Sequence, residues 1–322
     1  TGALNQAQLM RLLGTASART QQVSGAHGWT DPFGRERLFI DVEGRQIAFT
    51  QMGAPAGRPA ILVHGPMTGY VLPDVIEDGL RVHDITLWAV SRPGFGNSDP
   101  DPHRSALDGG ALCIEAVMNH LNIRKCAGIG LICGLAPLAR FAAQQPERIT
   151  SLLGIGSSAP LDKIQSQKAL PSLQRVVINL ARLSPKALEV VYLQAVLAAA
   201  QSDLASVVRR MYGQCASDTA LLKDSKIMEQ LTVGAEMITA QDSRVFLKDL
   251  QMMSQPWDKD LERTNVPCRM IGGAQDPVFP PHIAAALCAD TGADLNILEN
   301  AGQLIAFQHP EATLDAIRQA VA

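Results

Sequence analysis

The chain has 322 residues, enough for one large domain or a domain plus a lid. Lys and Arg number 28 against 31 Asp and Glu, for a net charge of −3, and aromatic residues are 4%. Without a basic run or stacking platforms, this stretch alone is not a nucleic-acid binder. No apolar stretch reaches the ~20 residues needed to cross a bilayer, and no signal-peptide pattern occurs, so no membrane partner is expected. The six cysteines (113, 126, 133, 215, 268 and 288) include no CxxC pair. They point to reduced, mostly buried thiols in a cytoplasmic protein, and no metal or cofactor is expected.

In chain order, residues 1–35 read as an N-terminal helix and linker. Leu9, Leu12, Leu13 and Ala16 fall on one helical face, and Asn5 followed by Gln8 resembles a capping box. A Gly, Asp and Pro-rich loop then runs to Gly34. "LFIDV" and "QIAFTQMG" flank Glu43-Gly44-Arg45 as a hairpin. The apolar runs "AILVH", "ITLWAV", "CAGIG", "SLLGIG", "CRMIGG" and "LNILEN" read as strands buried on both faces. Helical patterns over Leu107 to Leu121, Leu135 to Gln145, His282 to Asp290 and Glu311 to Val321 separate most of them. Strands alternating with helices predict a doubly wound, mostly parallel α/β sheet. The connection after "SLLGIG" is about a hundred residues long, against a usual ~4–6. Its helical patterning, with breaks near Pro171, Pro185, Ser202, Gly213 and Gly234, predicts a lid over the C-terminal ends of the strands. The core is expected at 36–158 and 263–322, and the lid at 159–262.

Five segments carry a resemblance. "GIGLICGLAPLARFAAQQPERI" reads as strand, tight turn and helix; "ILVHGP", "SRPGFGNSD", "GAQDPVFPP" and "ENAGQLIAFQHPE" accompany it in that family's order. From about Leu38 to Ala322 the chain resembles the α/β-hydrolase superfamily. The resemblance implies a nucleophile at the turn centre, an acid in the "GAQDP" loop and a base after the glycine of "AGQLIAFQHPE". Anchoring on Gly130 and Gly134, or on Pro146-Glu147-Arg148, places Ile132 at the nucleophile position. The acid position is Asp276. The base position is Gln303, with His309 downstream of it. Isoleucine cannot attack, and a glutamine amide cannot take a proton at neutral pH. The residue after His64-Gly65, which the resemblance makes an oxyanion donor, is Pro66, which lacks an N–H. Removing one such donor typically costs ~2.7–4 kcal/mol.

Cys133 follows the turn centre but has no histidine at the base position to activate it, and reads as a core thiol. His64 reads as structural, and His27, His83, His103, His120 and His282 as surface or helix residues. Asp276 is expected to form a structural bridge with Gln303. On these substitutions the chain is expected not to be an enzyme, and to hold a small, largely apolar ligand under the lid. His64, Gly65, Pro66, Met67, Ile132, Cys133, Asp276 and Gln303 would line that site. An active hydrolase or lyase with a non-standard site is the rival reading, and a scaffold with a filled pocket a third.

"TGALNQAQLMRLLG" resembles the end of a LuxR-type helix-turn-helix, through Gln6-Ala7-Gln8-Leu9-Met10-Arg11-Leu12-Leu13. That resemblance implies the ligand-sensing domain of a transcriptional regulator. The DNA-recognition helix would lie in a missing upstream part, and a homodimer would form partly through the N-terminal helix. The start at Thr1, without methionine, fits a fragment of a longer protein.

Overall fold

The computed structural model describes residues 30–66, 68–163, 168, 170, 172–184, 186–190, 203–238 and 245–322. The expected N-terminal helix with its expected pairing surface, and Met67, lie outside the described residues, as do the expected breaks at Pro171, Pro185 and Ser202.

Eight strands form one sheet: β1 (Arg37–Val42), β2 (Arg45–Gly53), β3 (Arg58–Val63), β4 (Ile85–Val90), β5 (Cys126–Leu131), β6 (Ile149–Ile155), β7 (Cys268–Gly273) and β8 (Asp294–Leu298). Their spatial order is β1-β2-β4-β3-β5-β6-β7-β8. β1 pairs antiparallel with β2, and β2 with β4, while β4 through β8 are parallel. The β1–β2 turn has Glu43 and Gly44 at φ 56° and 76°. Positive φ at both central residues is the hairpin geometry that follows the strand twist.

The helices cover both faces, so the central parallel strands are largely apolar, whereas β7 carries Arg269 and the edge strand β8 carries Asp294 and Asn296. On one face, Ile61 and Val63 of β3 join α2 (Ala106–His120), α3 (Leu135–Gln144) and α10 (Pro281–Thr291) in the core. On the other, Ala60 and Leu62 pack with α1 (Asp74–Val82) and α12 (Pro310–Val321). Alternate residues of one strand thus enter two different cores, as the period of two requires. The helix α1 escaped the sequence reading: it is nine residues long and Gly79 interrupts it. Ile76 and Leu80, one turn apart, bury its inner stripe.

Between β6 and β7 the described residues form six helices: α4 (Ser172–Leu183), α5 (Leu204–Tyr212), α6 (Ala216–Leu221), α7 (Ser225–Ile238), α8 (Val245–Met253) and α9 (Asp258–Arg263). α5 stops at Gly213. Gly234 does not break the chain but lies inside α7, where a Cβ would stand 2.7 Å from the Thr68 carbonyl oxygen. Glycine is required there by close packing of the helix on the β3–α1 loop, not by a turn. A satellite core of Val208, Tyr212, Leu222, Met228, Leu231, Ala235 and Leu304 ties α5 and α7 to the loop after β8. No described helix is long and apolar enough to cross a membrane.

Candidate active site

The turn between β5 and α3 holds Ile132 at φ 52°. Left-handed backbone crowds a β-branched side chain and costs of order 1–3 kcal/mol. The surroundings impose it. A Cβ at Gly130 would strike the Leu135 backbone, and one at Gly134 the Val63 carbonyl. Chain can turn this sharply only between glycines. The Ile132 side chain lies over Gly65, its Cδ1 3.0 Å from where a Gly65 Cβ would stand, and packs against the satellite core beneath the lid helices.

His64 is fully buried. Its Nδ1 lies 2.7 Å from the Gly65 carbonyl oxygen, and its Nε2 accepts from the Arg92 backbone N–H at 3.1 Å. The carbonyl can only accept, so Nδ1 carries the proton. Burial, then the Arg92 charge, holds the imidazole pKa well below its usual value, and the ring is neutral.

Cys133 is also inside, 1% exposed. Beside it, Arg92 is ion-paired with Asp249 of α8 through Nη1 and Nη2, and Arg92 Nη2 reaches the thiol at 3.7 Å. Burial, reinforced by Asp249, pushes the thiol pKa up. A protonated, enclosed thiol is no nucleophile. His64 and Cys133 therefore support the turn from within and present no open face to a ligand. Gly65 is buried, whereas Pro66 and Gln303 are half-exposed.

Asp276 follows β7, where its Oδ1 accepts from the backbone N–H of Val278 (2.8 Å) and Phe279 (2.9 Å). The nearby Gln303 side chain favours the ionised carboxyl, the smallest of the influences on it. Asp276 is 3% exposed, and burial pushes its pKa up to about 6 despite these donors. The charge of Asp218 adds to the rise.

Asp218, on α6, was missed in the sequence and is fully buried. It accepts from Gln303 N (2.9 Å), Leu304 N (3.2 Å), Gln308 Nε2 (3.0 Å) and the Cys215 thiol (3.2 Å). The only signal in the sequence was a carboxylate inside the otherwise apolar "CASDTALL". Ile132, Gln303 and Asp276 thus gather at the C-terminal ends of β5, β7 and β8. A cavity among the described residues lies elsewhere, lined by Arg92, Phe95, Asp101, Arg104 and Lys248 and by none of these three.

The structure thus places a buried carboxyl, with its pKa pushed up to about 6, at the strand ends of a doubly wound sheet. The α/β-hydrolase-fold family matches residues 59–310, and the chain belongs to that family. It is similar in structure to a hydrolase from Pseudomonas aeruginosa PA01, with a TM-score of 0.67 and 18% identity, over 88% of this chain and 97% of that one. A thermophilic esterase from Thermogutta terrifontis gives a TM-score of 0.61 and 20% identity, with the same coverage of both chains. In sequence, 127 residues are 28% identical to the dihydrolipoyllysine-residue acetyltransferase component of the acetoin cleaving system of Pseudomonas putida. They make up 39% of this chain and 34% of that protein, so the match spans about a third of that relative's length.

Membership of the α/β-hydrolase-fold family corrects the expectation that the chain is not an enzyme. The physical reason for the error is specific. Ile132, Gln303 and Pro66 remove the parts of one mechanism, acyl transfer through serine. They leave Asp276, a group suited to moving a proton.

Proposed function

We propose that the chain is an enzyme with a non-standard catalytic site, in which Asp276 moves a proton and no side chain acts as nucleophile. The observation carrying this reading is the buried Asp276 carboxyl, with its pKa pushed up to about 6. A general base works best with a pKa near the operating pH. In hydrolysis, the ionised carboxylate accepts a proton from water as the water oxygen bonds to the acyl carbon. The proton then passes to the leaving oxygen as the acyl C–O bond breaks. In elimination, the same carboxylate takes the substrate proton instead. Ile132 offers an apolar floor and Gln303 one amide, which suits a small, largely apolar substrate with one polar group.

The test is turnover of p-nitrophenyl esters of several chain lengths. Activity should rise with pH through about 6, disappear in Asp276→Asn and survive Cys133→Ala. Activity that survives Asp276→Asn and vanishes in Cys133→Ala would overturn the reading.

A second reading concerns regulation and rests on the Gln6 to Leu13 segment. In it, the same site senses its small molecule on behalf of an upstream helix-turn-helix, and the chain pairs with a second copy through its N-terminal helix. Deleting residues 1 to 20 should lower the mass measured by light scattering. An unchanged oligomeric state removes that support.

A further inference from the structure

Two lid carboxylates are buried against the core. Asp249 pairs with Arg92 beneath the turn at Ile132. Asp218 has no cationic partner among its hydrogen bonds; it is satisfied by the loop after β8. Four donors converge on it: two consecutive backbone N–H groups, the Gln308 amide and the Cys215 thiol. Both carboxylate oxygens are used, Oδ2 by Gln303 N and Cys215, and Oδ1 by Leu304 N and Gln308. The loop approaches closely enough to need glycine, since a Cβ at Gly302 would collide with Asp218 and Cys215. Gln308 closes the arrangement, its Oε1 accepting from Gly302 N at 2.9 Å. From the same helix, Ser217 N donates to Gln275 Oε1 at 3.1 Å, and Gln275 precedes Asp276 in sequence. One turn of α6 therefore grips both loops that bring Gln303 and Asp276 together.

We infer that Asp218 is a positioning residue of the Asp276 site, holding the Gln303 loop against the loop that carries Asp276. A neutral hydrophobic side chain at 218 would leave the Gln303 and Leu304 N–H groups and the Gln308 amide without their acceptor. Asparagine keeps the shape but turns one acceptor into a donor, so it cannot serve Gln303 N and Leu304 N together. The charge of Asp218 also bears on Asp276, raising its pKa, so its influence is visible without any substrate. Asp218 touches neither the reacting atoms nor the Ile132 floor; it acts through Gln303. The inference rests on the reading of Asp276 as the acid–base group.

The experiment compares wild type with Asp218→Asn by NMR. Aspartate labelled at the carboxyl carbon is titrated, with Asp276→Asn used to assign the Asp276 signal. In wild type the signal should titrate near pH 6, and in Asp218→Asn its midpoint should move to lower pH. Amide exchange at Gln303 and Leu304 should speed up in the same variant, and any turnover should fall in kcat with KM little changed. Unchanged exchange and an unchanged midpoint in a folded Asp218→Asn protein overturn the inference. Where Asp218→Asn does not fold, exchange in wild type decides. Gln303 and Leu304 amides that open together with those of α6 support the clamp, and independent opening overturns it. Loss of the Asp276 reading has a separate signature: turnover untouched by Asp276→Asn, with the exchange results intact.

Discussion

The turn after β5 and the loop after β7 lie at the same edge of the sheet, on either side of β6, and they have kept different things. The first keeps its backbone: Ile132 remains at φ 52° between glycines that cannot be replaced without collision. Its side chain has no chemistry. The second keeps a carboxyl: Asp276 is buried, its pKa pushed up to about 6, and it is held by two backbone donors. Backbone geometry is fixed by packing underneath, here the Arg92–Asp249 pair and the β3 carbonyls, and it persists whatever residue occupies the turn. Chemical capacity is set residue by residue. A site can lose one reaction at one loop and retain proton transfer at its neighbour.

The largest effect should come from breaking what supports the first region. Asp249→Ala leaves Arg92 charged and buried without its partner, at an expected cost of ~3–5 kcal/mol, read from the urea midpoint. A loss under about 1 kcal/mol would mean that the pair does not hold the turn.

The second region should show itself through pH. Burial holds the Asp276 pKa at about 6, above the ~3.9 of an unfolded aspartate, so the fold favours the protonated form. The stability this group contributes is therefore complete below about pH 3.9 and is lost as pH rises through about 6, a difference of roughly 3 kcal/mol. Asp276→Asn stays neutral, so its melting temperature relative to wild type should climb across that window. A flat difference would place the Asp276 pKa in the ordinary range and dissolve the contrast between the loops.

The smallest effect sharpens the first region. Ile132→Gly relieves about 1–3 kcal/mol of left-handed strain, while truncating an isoleucine that is only partly buried costs about 2 kcal/mol, the low end for this residue. The two terms offset, and the net change should lie within about 1 kcal/mol of wild type. A loss of several kcal/mol would mean that the turn carries no strain to relieve.

Much of the scaffold could be read from local pattern. Apolar runs such as "AILVH" and "CAGIG" mark strands covered on both faces, and the glycines around Ile132 mark the tight turn, because both signals lie within a few residues. The order of the motifs put Ile132, Asp276 and Gln303 after three parallel strands, β5, β7 and β8. What stayed hidden was long-range. Nothing near Asp218 in sequence shows that its donors come from residues 303, 304 and 308. Nothing near Asp249 shows Arg92. Gly234 looked like a helix break because its reason, the close approach of the Thr68 carbonyl, lies far along the chain. Pattern also could not show that Asp276 is held near pH 6. That value arises from burial in the assembled fold, and missing it led from three substituted positions to the mistaken expectation of a chain without catalysis.

The central claim is that proton transfer at Asp276 carries whatever turnover this site performs. The most direct test is the pH profile of kcat/KM on the ester panel, for wild type and for Asp276→Asn confirmed to be folded. The account predicts a wild-type rate rising with an apparent pKa near 6, and a fall of at least ~10²-fold in the variant. Equal rates in the two proteins, or no turnover by wild type on any ester, would contradict it.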